Sequence, residues 1–168
     1  MPERENPLGK FRSWIEQKMR QKQLIRFEHM GQTFTVRKDN KGTTAALDVL
    51  NKHGTLHGII RGQWIETDKE IEFFSMAVKN IHKGQDSHIP LLIQTAIGEI
   101  VAQIGERPGK NLRWHSSDIF LTDDGRKMYQ RLMEEANTPG NRFYKRIHVE
   151  TIPKEITSQF VISPHPVN

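Results

Sequence analysis

The sequence predicts a single α+β domain, and three observations carry that prediction. One is the apolar run Ile89–Ile104, in which Glu99 is the only charge, set in an otherwise polar chain of 168 residues. Another is the alternation of apolar and polar residues on both sides of His29-Met30-Gly31-Gln32. The third is a pair of segments, 8–24 and 123–136, whose apolar residues recur at helical spacing. At this length folding removes about 70% of the unfolded surface from water, enough for one core. Composition divides the chain into a flexible N-terminus over 1–7, the domain over 8–152 and an extended C-terminal tail over 153–168, rich in proline.

The elements follow in order. Leu8, Phe11, Ile15 and Met19 form one stripe, which predicts an N-terminal basic amphipathic helix with Lys10, Arg20 and Lys22 turned away from it. Ile25 and Phe27, then Phe34 and Val36, alternate with polar residues and predict a β-hairpin. Thr43 or Thr44 is placed to cap a short helix over Ala45–His53. Residues 56–65 read as a strand made irregular by Gly58 and Gly62, where a bulge or a close backbone approach is expected. Thr67-Asp68-Lys69-Glu70 matches a capping box. With Ile71, Phe74, Val78 and Ile81 behind it, that box predicts a helix over 68–83 and so a βα unit.

The run 90–104 predicts a central buried helix, started by Pro90 and stopped by Gly105 and Pro108. It is too short and too polar in places to span a bilayer, so no transmembrane segment is expected. A strand is expected over 112–121, interrupted near Ser116-Ser117. A helix capped by Thr122 follows, burying Met128, Leu132 and Tyr129, with Asp123 and Asp124 at the positive end of its dipole. Asn137–Asn141 breaks the chain, and alternation over 143–151 predicts a C-terminal strand.

The chain has no cysteine, which excludes disulfides, thiolate zinc sites and a cysteine nucleophile. A charged N-terminus unlike a secretion signal points to a cytoplasmic location. Nucleotide-loop, dinucleotide, zinc-protease and nucleophile-elbow signatures are all missing, so no cofactor is expected, and a binding protein is expected rather than an enzyme.

Charge is the most informative property. The net charge of +5 is concentrated in residues 1–26 and 107–146, each carrying +4, around a centre that is slightly acidic. If folding joins these blocks they make the electrostatic footprint of a polyanion ligand. The expected function is therefore binding of DNA or RNA through phosphate contacts. The candidate residues are Lys10, Arg12, Lys18, Arg20, Lys22, Arg107, Lys110, Arg113, Arg142, Lys145 and Arg146. Trp114 and Phe143, interleaved with these cations, are expected in the core.

Two alternatives use the same residues differently. A basic helix over 8–24 could dock on an acidic protein partner. His115, Asp118, Asp123 and Asp124 bring a base and carboxylates within ten residues, the types a metal-dependent nuclease needs. His53 and His57 have the spacing of helical zinc ligands, but Gly54 lies between them. The oligomeric state is not legible in the sequence.

Overall fold

The computed structural model describes residues 9–10, 22–41, 43–81, 91–116, 122–153 and 158–166. The fold is mixed α+β but mostly sheet. Among the described residues the elements delimited, in chain order, are β1 (Lys22–His29), β2 (Gln32–Lys41), β3 (Thr44–Asn51), β4 (Leu56–Glu66), β5 (Glu70–Asn80), α1 (Leu91–Gly105), β6 (Asn111–His115), α2 (Asp123–Asn137), β7 (Ile147–Pro153) and β8 (Ser158–Pro164). All eight strands join one sheet in the order β1-β2-β3-β4-β5-β6-β8-β7.

The first five strands form an antiparallel meander. Its first turn is the expected hairpin, with His29 opposite Gln32. Met30 and Gly31 take φ of 49° and 76°, the pair of left-handed residues that matches the twist of the flanking strands. Along β1 and β2, Ile25, Phe27, Phe34 and Val36 point into the core.

β3 and β5 correct the sequence reading, which has helices there. In β3 the burial alternates, with Ala45, Leu47 and Val49 inward and Ala46, Asp48 and Leu50 half-exposed. Eight residues nucleate a helix poorly in water even with Ala45, Ala46, Leu47 and Leu50 among them, and this segment pairs along its length with β2 and β4 instead. In β5 the inward residues are Ile71, Phe73 and Ser75, a period of two, whereas Ile81 on the expected helical stripe is exposed. The Thr67–Glu70 signature still caps something. The Thr67 amide donates to the Glu70 carbonyl at 2.8 Å and the Glu70 amide donates to the Thr67 hydroxyl at 3.2 Å. These bonds close the β4–β5 hairpin rather than starting a helix.

β4 occupies the expected strand, and both its glycines behave as expected. A β-bulge lies between Arg61 and Gly62, and Gly58 faces the Ile93 side chain so closely that a Cβ would collide with it. Two segments shift their bounds. Lys22–Leu24, expected as the last turn of the N-terminal helix, belongs to β1, while Gly9 and Lys10 are helical as expected and 11–21 lie outside the described residues. Phe143 to Arg146, expected as strand, form a turn before β7, although Phe143 is still buried. Within the stretch expected as an extended tail, Ser158–Pro164 is strand β8, paired on one side with β6 and on the other with β7.

α1 crosses the face of this sheet. Eleven of its fifteen residues are buried, and they include polar Gln94 and Glu99. At roughly 1.5–3 kcal/mol for each large aliphatic side chain removed from water, this helix is a main source of folding energy. α2 has the expected cap, with the Gly125 amide donating to the Thr122 hydroxyl at 3.1 Å, and it buries Met128, Tyr129, Leu132 and Ala136. The Trp114 indole N–H donates to the Tyr129 hydroxyl at 2.9 Å, which ties β6 to α2 inside the core. Burial pushes the Tyr129 phenol up to about 12 despite that bond and one from Ser75. No helix among the described residues is long and apolar enough to cross a membrane.

One junction differs from the rest. β5 and β6 run parallel, joined through the crossover that contains α1, and among the described residues they pair over Glu70–Phe74 and Asn111–His115. Beyond that point β5 stays paired with β4 as far as Asn80, while Ser116 exchanges bonds with Phe160 of β8.

α1 approaches its neighbours closely at Gly98, where a Cβ would fall within 3.0 Å of three atoms of the buried Phe143 ring. Gly98→Ala is expected to destabilise the fold by about 1–3 kcal/mol through overpacking, read as a lower urea midpoint at unchanged slope.

Candidate functional site

Three groups of charged residues bear on function, and the first is structural. Glu99 lies on buried α1 with its side chain 4% exposed. The Arg146 guanidinium grips both its oxygens at 2.7 and 3.1 Å, Arg142 donates at 2.9 Å and Gln103 at 2.8 Å. Arg146 also reaches Glu106 at 3.2 Å. Burial by itself would raise the Glu99 carboxyl, but the bonds from Arg146, Gln103 and Arg142 together with the charge of Arg146 outweigh it. They hold the carboxyl at about 2. Gln103 also donates to the Arg26 carbonyl at 2.8 Å, and the Arg107 guanidinium donates to the Leu24 carbonyl. These two bonds occupy carbonyls of β1, an outer strand of the sheet that would otherwise offer them to another chain.

The second group lies where β1 and β2 meet the segment after α1. Lys22 stands opposite Lys38, whose ammonium sits 4.1 Å above the Trp64 ring. Lys110 pairs with Glu66, and the Trp64 indole N–H donates to the other Glu66 oxygen at 3.2 Å. Burial lowers the Lys38 pKa, the Glu66 charge opposes that, and repulsion from Lys22 and Lys110 adds to the lowering. Lys38 and Lys110 thus share the Glu66 carboxylate, with Lys22 close to Lys38.

The third group occupies the opposite face of the same strands. Arg26, Thr33, Thr35, Arg37, Leu50, Asn51, Lys52 and Gly54 line a depression of about 290 Å³. Hairpin register places Arg26 opposite Thr35, and Thr35 opposite Leu50. The Asn51 side-chain oxygen accepts from the amides of His53 and Thr55 at 2.9 Å each, which fixes the loop that carries Lys52 and Gly54. Glu28 and Asp48 stand at adjacent register positions, opposite Thr33 and Arg37, but neither lines the depression.

The residues expected to contact phosphate are therefore spread over several environments. Lys22, Arg107 and Lys110 gather near the N-terminal end of β1. Arg142 and Arg146 serve Glu99. Arg113 is exposed on β6 opposite Glu72, and Lys145 is exposed with its ammonium 5.5 Å from the Tyr144 ring. Lys10 is helical and exposed, whereas Arg12, Lys18 and Arg20 lie outside the described residues. Trp114 and Phe143 are in the core, as expected.

Sequence reasoning missed Lys38, Arg37 and Lys52, and it treated Arg26 only as part of a charge count. The hairpin pattern could have placed Arg26, Thr33, Thr35 and Arg37 on one face. Lys52 could not be added without knowing that 44–51 is a strand. For the metal alternative, Asp118 lies outside the described residues. The His115 ring stacks on Phe74 with 4.4 Å between centroids and has Nε2 3.5 Å from Glu72, while Asp123 is exposed beside Arg126 at 3.9 Å. His57 meets the Phe34 ring edge-on. Among the described residues no group of three or more His, Asp or Glu could hold a metal ion.

No protein-family model matches this chain, and no curated protein matches it either.

Glu99→Gln is expected to cost about 2–3 kcal/mol, less than a fully buried pair because Arg142 and Arg146 remain about one-third exposed. The carboxyl is depressed in the fold, so its contribution is fully present above its unfolded value near 4.5 and is lost as pH falls towards about 2. Urea denaturation of the wild type and variant should show a constant gap above pH 5 that closes between 4.5 and 2.

Proposed function

We propose that this protein binds nucleic acid, DNA or RNA, mainly through phosphate contacts. The observation that carries the reading is the convergence on Lys38 of Lys22, at the end of the first basic block, and Lys110, in the second; Arg12, Lys18 and Arg20 lie outside the described residues. Lys22 from the first and Lys110 from the second lie close enough to Lys38 to oppose its charge. Arg107 from the second block donates to Leu24 in the first. With Glu66 as the shared carboxylate, this cluster keeps excess positive charge that a polyanion would relieve, and its cations gain by releasing condensed counterions from the ligand. Trp64 is half-buried beneath Lys38, so it supports the cation rather than offering an open stacking platform.

Titrating labelled duplex and single-stranded oligonucleotides at a series of salt concentrations tests this reading. On duplex, log affinity should fall with log salt by about 0.9 for each phosphate neutralised. Lys22→Ala/Lys110→Ala should make that slope shallower by about 2, with stability little changed because both side chains are exposed. Absence of binding at low salt, or an unchanged slope in the double variant, overturns it.

A further inference from the structure

We infer that the depression lined by Arg26, Arg37 and Lys52 with the hydroxyls of Thr33 and Thr35 is a site for a single phosphomonoester group. It rests on the nucleic-acid reading only for the source of that group, the phosphorylated end of a strand.

The lining contains the donors that phosphate recognition uses. Two guanidinium groups can each present paired N–H donors to two oxygens, Lys52 supplies a compact charge, and the threonine hydroxyls can donate to the remaining oxygens. None of the lining residues is a carboxylate. The donors are carried by rigid elements: Arg26, Thr33, Thr35 and Arg37 come from two paired strands, and Lys52 from a loop fixed by Asn51. Leu50 is the only large apolar residue among them, so the depression does not suit an apolar ligand.

Size and surroundings narrow the ligand. A volume of about 290 Å³ is at the low end for small-molecule sites and suits one phosphorylated unit rather than a length of polymer. A groove that tracks a backbone needs cations in succession. Here Glu28 stands directly opposite Thr33 and Asp48 directly opposite Arg37 on the same face, so a carboxylate borders the cationic lining on each side. The next cations on this face, Arg61 and Lys79, lie beyond Asp48 on β4 and β5, so the positive charge of the depression is a spot bounded by carboxylates. A phosphomonoester carries about −1.5 to −2 charge near neutral pH, against −1 for an internal diester, so a spot of this kind distinguishes an end from an interior.

The test is fluorescence anisotropy with one labelled single strand prepared in three forms, bearing a 5′-phosphate, a 3′-phosphate or hydroxyls at both ends. One phosphorylated form should bind at least tenfold tighter than the hydroxyl form. That preference should vanish in Arg37→Ala and, separately, in Lys52→Ala, whose side chain is exposed and whose loss leaves the strands intact. Equal binding of all three forms overturns the inference while leaving the nucleic-acid reading standing. A preference that survives both variants also overturns it. If the corresponding mononucleotide competes as well as the phosphorylated strand, the phosphomonoester site is supported and the polymer reading is not. If neither strand nor mononucleotide binds, both fail.

Discussion

Near-complete burial of α1 is the constraint on which the rest of the structure depends. A helix enclosed on almost every side must have apolar residues around most of its circumference, and Ile93, Ile97, Ile100 and Ile104 meet that need. It must also approach its neighbours closely, which explains Gly98 beneath the Phe143 ring. Its one charge, Glu99, cannot reach water. The structure therefore brings two arginines to it from the turn before β7, and their loss would leave a buried carboxylate without compensation. One helix thus fixes the position of the 138–146 turn and, through Gln103, the edge of the sheet.

The same constraint changes the meaning of the charge pattern. Counted along the sequence, Arg142 and Arg146 belong to a block carrying +4. In the fold their guanidinium groups are directed inward to a carboxylate from the near-neutral centre. What remains for a ligand is a smaller set of cations on two faces of β1 and β2. Neighbouring residues Arg37 and Lys38 show the division, one lining the depression and the other lying over Trp64.

Legibility in the sequence followed the strength of local signals. The first hairpin, β4, α1 and the Thr122-capped helix were readable because pattern, turn chemistry and capping agreed in each. β3 and β5 were misread for a common reason. Ala-Ala-Leu and the Thr67–Glu70 box carry helical preferences, and only pairing with strands already present overrides them. That error also hid Lys52 from its partners, since the depression exists only when β3 lies beside β2. Glu99 was visible as the single charge in an apolar run, but nothing near it in sequence identified arginines 43 and 47 residues away as its partners.

The position of β8 has a consequence for how the protein is made. This strand is synthesised after every other described element, yet it lies between β6 and β7 and sends Phe160 and Ile162 into the core. A nascent chain on the ribosome therefore carries α1 and β6 with much of their apolar surface uncovered until residues 158–164 emerge. The antiparallel meander of β1 to β5 can form during translation from neighbouring segments, but closing the other half must wait. Apolar surface uncovered in this way is what makes incompletely folded chains prone to aggregate.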